Sequence, residues 1–258
     1  MPAALPFDLR VLGAGPAYTD RPGAIGASYL VRSGDQAIVI DLGQGSFTAL
    51  AGAIEPSSVW AVLVSHLHPD HFIDLVALRH YLRWEFDPPR RLRVLAPSGI
   101  GDRLDALHGE PGWTAAALDP APLSEGAHRI GPFDVEAHLV THTAESYGFR
   151  VTLADADGGP DRPGLVYSGD CGRADDMAPL IRPGDWLLTE ISFGAGPAQP
   201  GAEHLDGPAV GALAAATKPG RVLLTHLQMG YDPGEALASV RARYGGPVEF
   251  VAPGSRYG

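Results

Sequence analysis

The sequence predicts an α/β protein in which two sheets lie face to face with helices on their outer sides. Three observations predict it. Each half of the chain runs strands first and then alternates strand with helix. Short continuous apolar runs such as "VWAVLVS" (59–65) and "RVLLTHL" (221–227) read as buried strands. Several of these runs lead directly into histidine or aspartate, an expensive place for a polar side chain unless it is paired.

The elements follow in order. "FDLRVLG" (7–13) and "AIVIDLG" (37–43) are strand-like and end in glycine, with the alternating "ASYLVRS" (27–33) between them. "SFTALAGAI" (46–54) has helical spacing. After the strand at 59–65, "FIDLVALRHYL" (72–82) reads as an amphipathic helix and "RLRVLAP" (91–97) as a strand. "SGIGDRLDALHG" (98–109) reads as a helix that Ser98 would cap. In the second half, "FDVEAHLVTHT" (133–143), "YGFRVTLAD" (147–155) and "GLVYSGD" (164–170) are strands, and the polar "DADGGPDRPG" (155–164) suits a hairpin loop. "ADDMAPLI" (174–181) reads as a helix and "DWLLTEI" (185–191) as a strand. "DGPAVGALAAATK" (206–218) is a helix with Pro208 near its first turn. The strand at 221–227, a helix at 233–245 and a strand at 247–253 complete the chain. No repeat or linker divides the 258 residues, so a single domain over 1–258 is expected, long enough to bury a core without staples.

Bulk properties narrow the function. A net charge of −11 argues against tracking a nucleic-acid backbone. The one basic stretch, with Arg79, Arg83, Arg90, Arg91 and Arg93, is best read as a solvated helix end and loop. Cys171 stands alone, so no intramolecular disulfide forms. The first residues lack the basic-then-apolar pattern of a secretory leader. No apolar run approaches the roughly 20 residues that span a bilayer. A cytoplasmic protein without a membrane segment is expected.

The chemistry concentrates in "SHLHPDH" (65–71), three histidines and an aspartate where a buried strand gives way to a helix. His66 and His68 lie two apart on the extended side and can point the same way. Asp70 and His71 lie on the turn into the helix, and Pro69 keeps residue 68 out of the α region. A single histidine here would be incidental. Four candidate ligands in six positions indicate a metal, since zinc takes imidazole nitrogen and carboxylate oxygen. Other strand ends repeat the signal: His142, Asp170 and His226 each follow an apolar run. One shared site at one edge of the sheets explains them together.

On these residues the chain resembles the metallo-β-lactamase superfamily: "SHLHPDH", His142, the "SGD" of Asp170 and the "THL" of His226 match in order and spacing. The resemblance implies a four-layer αββα sandwich with two zinc ions. His66, His68 and His142 would hold one ion, Asp70, His71 and His226 the other, and Asp170 would bridge them. Zinc is the default; manganese or iron suit similar His/Asp donors.

The segment after His142, "TAESYGFR", is similar to the ribonuclease Z and phosphodiesterase branch through Ser146, Gly148 and Arg150. "LLTEISF" around Glu190 and "EHLDGP" around His204 resemble that branch too, with Thr189 and Asp206 departing from it. The resemblance implies that Glu190 orients His204, which then serves the leaving group. Ribonuclease Z carries a long arm that grips tRNA. Only 28 positions separate His142 from Asp170, which leaves no room for it. The expectation is therefore a phosphodiesterase of small, cyclic nucleotides rather than a tRNA-processing enzyme. In it, a hydroxide shared by two metals attacks phosphorus, Asp70 accepts a hydrogen bond from the nucleophile, and Glu190 and His204 act as the acid pair. The alternatives are a lactone, thioester or sulfate ester hydrolase on the same metals, or tRNA 3′-end maturation. A homodimer is common in the resembled branch, though no segment specifies one.

Other features have plainer readings. "LGAGPA" (12–17) lacks the third glycine of a dinucleotide fingerprint and reads as a turn. Cys171 reads as a small buried residue and His138 as a hydrogen-bonded core histidine. His80, His108 and His128 have no partner motif. Tyr81, Trp84 and Phe86 read as packing residues, and Tyr231 as lining the mouth of the site.

Overall fold

A computed structural model describes residues 3–154, 162–199 and 201–258. The first sheet starts as an antiparallel meander of β1 (Asp8–Gly13), β2 (Ser28–Ser33) and β3 (Gln36–Ile40). It continues in parallel through β4 (Val62–Leu63), β5 (Leu92–Ala96) and β6 (Leu118–Pro122). The second sheet repeats the plan. β7 (Gly126–Ile130), β8 (Phe133–Leu139), β9 (Tyr147–Leu153) and β10 (Leu165–Tyr167) are antiparallel. β11 (Trp186–Glu190), β12 (Arg221–Thr225) and β13 (Val248–Phe250) then add in parallel. β14 (Arg256–Tyr257) returns to pair with β1.

Parallel neighbours need crossovers, and these supply the helices. α1 (Ser46–Ala51), α3 (Leu75–Trp84) and α4 (Ile100–His108) belong to the first sheet's crossovers. Leu50, Leu78, Leu82 and Leu104 on them pack with Val39, Val62 and Val94 of the strands. α5 (Gly207–Thr217) and α6 (Pro233–Arg241) cover the second sheet, where Val210, Leu213 and Val240 meet Val166, Val222 and Leu224. Both are capped by aspartates, Asp206 accepting from Ala209 N–H at 2.9 Å and Asp232 from Glu235 N–H at 2.8 Å. Between the sheets, Leu9, Tyr29 and Ile40 face Phe133, Phe149 and Leu188. The expected αββα sandwich is thus present. Among the described residues, no helix is long and apolar enough to cross a membrane.

Several local expectations fail for identifiable reasons. The helix expected at 72–82 is two pieces, the single turn α2 (Pro69–Phe72) and α3. The break at Asp74 lets its carboxylate accept from Phe47 N–H at 2.8 Å and its own N–H reach Leu42 O at 3.0 Å. Ser98 does not cap α4: Gly99, at φ 85°, holds that position, and Ser98 N–H bonds Glu145 Oε2 instead. The helix expected at 174–181 is a 3-10 turn over Ala174–Met177, cut short before Pro179. β6, β7 and β14 went unforeseen. β6 contains Pro120 and Pro122, which suit only an edge strand. β7 is mostly exposed and β14 is two residues long. Most of the hairpin loop expected at 155–164 lies outside the described residues; the flanking β9 and β10 do pair antiparallel.

Candidate metal centre

Chain ends of the inner strands of both sheets converge on one edge. The segment after β4, a loop running into α2, carries Ser65 to His71. It lies against the end of β3, where Leu42 N–H donates to His71 O at 2.7 Å. Gly43 permits this approach, because a Cβ there would stand 1.9 Å from the Asp70 carbonyl oxygen. His142 follows β8, Asp170 follows β10, and His226 follows β12. His226 sits in the left-handed region at φ 58°, an uncommon conformation for its type. Its N–H donates to Ala14 O at 3.0 Å, so the "LGAGPA" turn serves to hold this residue.

All seven expected ligands come together. His66, His68, His142 and Asp170 present ligand atoms within 4.8 Å of one another, as do Asp70, His71, Asp170 and His226. Asp170 belongs to both groups. Its Oδ1 lies 3.4 Å from His71 Nε2 and 3.5 Å from His226 Nε2, while Oδ2 lies 3.8 Å from His66 Nε2 and from His142 Nε2. Asp70 Oδ2 is 3.1 Å from His226 Nε2. His66 and His71 are fully buried, and His68 is exposed at the rim.

The outward nitrogen of most rings is fixed by a partner. His71 Nδ1 meets Asp41 Oδ2 at 2.8 Å, His226 Nδ1 meets Ser192 Oγ at 3.0 Å, and His142 Nδ1 meets the Glu203 carbonyl at 2.7 Å. His66 Nδ1 lies 3.2 Å from Ser65 Oγ. Such partners set the tautomer and leave Nε2 as the inward lone pair. Inward atoms then lack company: His66 Nε2, His71 Nε2 and Asp170 Oδ1 are buried without a hydrogen-bond partner. Orphaned donor atoms of the types that bind zinc, aimed at each other, fit divalent metal.

The buried charges shift one another, and on His71 the shift favours a proton that metal binding would displace. Burial, then the neighbouring His71, push the His66 pKa well below its ordinary value. Burial opposes a charged Asp170, yet His226 and His71 hold its carboxyl well below the usual range. For His71 burial works against the cation, but Asp170 and Asp41 outweigh it and raise its pKa well above normal.

Glu190 and His204 pair beside this cluster. Glu190 is fully buried at the end of β11. Its Oε1 accepts from Cys171 N–H at 2.7 Å and lies 3.0 Å from His204 Nδ1; its Oε2 accepts from Ser192 N–H at 3.1 Å. Burial lowers the His204 pKa, and the hydrogen bond and charge of Glu190 overcome this, bringing it to about 9. His204 Nδ1 is also 3.8 Å from Asp170 Oδ2.

Sequence reading missed Asp41. It ends β3 at φ 57°, fully buried, and accepts from Ser65 N–H, Ser65 Oγ and Tyr167 Oη at 2.7–2.8 Å besides meeting His71. An aspartate closing "AIVID" was the same signal as His142 and Asp170, a charged residue after an apolar run. Ser192 and the Glu203 carbonyl had no such signal.

The branch residues play structural parts. Arg150 forks onto Asp185 at 2.7 and 2.9 Å, Ser146 Oγ bonds Thr143 Oγ1 at 2.7 Å, and Gly148 lies against Met177. His138 is not in the core: its Nδ1 lies 3.0 Å from Glu125 at the surface, because alternate positions of β8 face outward. Cys171 is buried as expected, with its thiol pushed up to about 12 by burial. Arg79 and Arg83 stack on Trp113 and Trp84, away from the cluster. Tyr231 packs edge-on against Phe193, whose ring lies 5.9 Å from that of His204.

Two sheets packed face to face, with a histidine–aspartate cluster at their shared edge, define the metallo-hydrolase class of α/β sandwich. The chain belongs to the beta-lactamase superfamily, whose domain model matches residues 38–227. An uncharacterized protein of Mycobacterium leprae is 32% identical over 252 residues, 92% of this chain and 83% of that protein. The probable metallo-hydrolase YhfI of Bacillus subtilis is 26% identical, covering 78% of this chain and 79% of its own. Its crystal structure superposes with a TM-score of 0.84 over 98% of this chain and 100% of that one, at 21% identity. A ribonuclease Z of Mycobacterium marinum is 27% identical over 74% of this chain and 68% of that protein.

Proposed function

We propose that this metallo-hydrolase is a phosphodiesterase of small, cyclic nucleotides that works with two metal ions, zinc by default. The observation that carries it is the division of Asp170, one carboxylate oxygen turned to His71 and His226 and the other to His66 and His142. On this reading His66, His68 and His142 hold one ion, Asp70, His71 and His226 the second, and Asp170 both. Paired ions of this kind lower the pKa of water and neutralise charge on phosphoryl oxygens.

The chain's own residues do the rest. Asp70 accepts a hydrogen bond from the attacking water and aligns it. Glu190 fixes His204 through Nδ1, which leaves Nε2 to hand a proton to the departing sugar oxygen. Asp41 and Ser192 keep His71 and His226 turned inward. The phosphodiester preference is supported by the Glu190–His204 pair, because a sugar alkoxide leaves poorly without a proton. The net charge of −11 and the short span from His142 to Asp170 weigh against tRNA.

The test is hydrolysis of cyclic AMP and cyclic GMP by zinc-loaded protein beside Asp70→Ala. Conversion to the 5′-monophosphate, lost in the variant, is expected. Zinc-bound protein that cleaves a lactone or thioester but no phosphodiester would overturn the reading.

A further inference from the structure

A recess of about 290 Å³ opens beside His68, the exposed member of the cluster. Its walls come from both sheets: Ser98 beyond β5 and Arg103 on α4 on one side, Thr143 and Glu145 beyond β8 on the other. A group held there lies against the metal cluster.

Two wall residues carry opposite charge, and each is fixed from behind. Arg103 Nη1 donates to the Leu67 carbonyl at 2.6 Å, which leaves its other N–H groups unused by that bond. Glu145 Oε2 accepts from Ser98 N–H at 2.8 Å, and its backbone carbonyl accepts from Thr143 Oγ1 at 3.2 Å. The recess therefore presents a planar fork of donors and an anchored carboxylate acceptor. A second phosphate would be drawn to Arg103 and repelled by Glu145. A neutral heterocycle whose edges carry both acceptors and N–H donors satisfies both: guanidinium gives to ring nitrogen and carbonyl oxygen, and carboxylate takes from an amino group.

We infer that this recess is the nucleobase subsite, with Arg103 and Glu145 as its specificity-determining residues. The inference rests on the phosphodiesterase reading and names the part of the substrate that does not react.

The experiment compares zinc-loaded parent, Arg103→Lys and Glu145→Gln on cyclic GMP, cyclic AMP and the base-free diester bis(4-nitrophenyl) phosphate. Zinc content and calorimetric binding of the 5′-monophosphates are measured on the same samples. Each variant keeps one bond to its neighbour while losing the fork or the charge. For the better cyclic nucleotide, kcat/KM should fall about tenfold relative to the base-free diester, through KM. Equal losses on both substrates, or loss of zinc, would overturn the inference and leave both residues as supports of the His68 loop. A parent that cleaves the base-free diester and neither prefers nor binds nucleotides would overturn the subsite and the nucleotide substrate, and spare phosphodiester hydrolysis alone. Nucleotide binding that depends on Arg103 and Glu145 without any turnover would do the reverse.

Discussion

The two sheets reach the same cluster by different means. The first supplies its residues almost all from one stretch, Ser65 to His71, folded into a turn against β3. The second supplies one residue per strand end: His142, Asp170, Glu190 and His226. Each sheet also ends one strand in a left-handed residue at the cluster, Asp41 at φ 57° and His226 at φ 58°. Such a conformation costs an L-residue about 1–2 kcal/mol and persists where surrounding contacts over-determine it. Here those contacts are the four side-chain hydrogen bonds of Asp41 to Ser65, His71 and Tyr167, and Ala14 O with Ser192 Oγ around His226. A contiguous loop lets one turn fix several ligands. Dispersed residues depend on the registry of neighbouring strands, antiparallel for His142 and parallel for Glu190 and His226, and Asp170 is where the two solutions meet.

That comparison orders the expected effects. Asp170→Ala removes the residue common to both groups. Turnover should fall roughly 10³-fold or more, with metal content measured by mass spectrometry dropping in parallel. Retention of both ions would mean that the two halves hold metal independently. His204→Ala should reduce turnover about 10²–10⁴-fold while metal content stays at the parental level. Equal loss of metal would make His204 a support rather than a proton donor.

Asp41→Asn tests the left-handed anchor of the first sheet. Metal affinity should weaken about 10–100-fold, read by chelator competition, because His71 loses the partner that turns it. An unchanged affinity would leave the loop self-sufficient. Ser192→Ala is the matching change on the second sheet. It removes both bonds of Ser192 Oγ to His226, the one to Nδ1 at 3.0 Å and the one to the backbone carbonyl at 3.1 Å, so a destabilisation of about 1–2 kcal/mol in urea unfolding is expected, with a smaller loss of affinity than at Asp41. A larger loss than at Asp41 would invert the ranking of the two anchors.

The same contrast explains what the sequence made legible. "SHLHPDH" is dense enough to read in isolation, and His142, Asp170 and His226 become readable once their shared place after apolar runs is noticed. Asp41 obeys that rule too, but it stands alone between Ile40 and Leu42 with no polar residue beside it. Ser192, the Glu203 carbonyl and Gly43 act through contacts with residues distant in the chain, which no local pattern encodes. Among the elements, the buried strands were clear from their apolar runs. β6 and β7 were hidden because edge strands carry proline and polar residues. The break between α2 and α3 was hidden because it serves Asp74's bonds to Leu42 and to Phe47 in α1, both distant in the chain.

The most direct test of the account is anomalous X-ray diffraction at the zinc edge from crystals of the zinc-loaded protein. Two peaks are expected, one on each side of Asp170, the first among His66, His68 and His142 and the second among Asp70, His71 and His226. A single peak, or a second one away from Asp170, would contradict it.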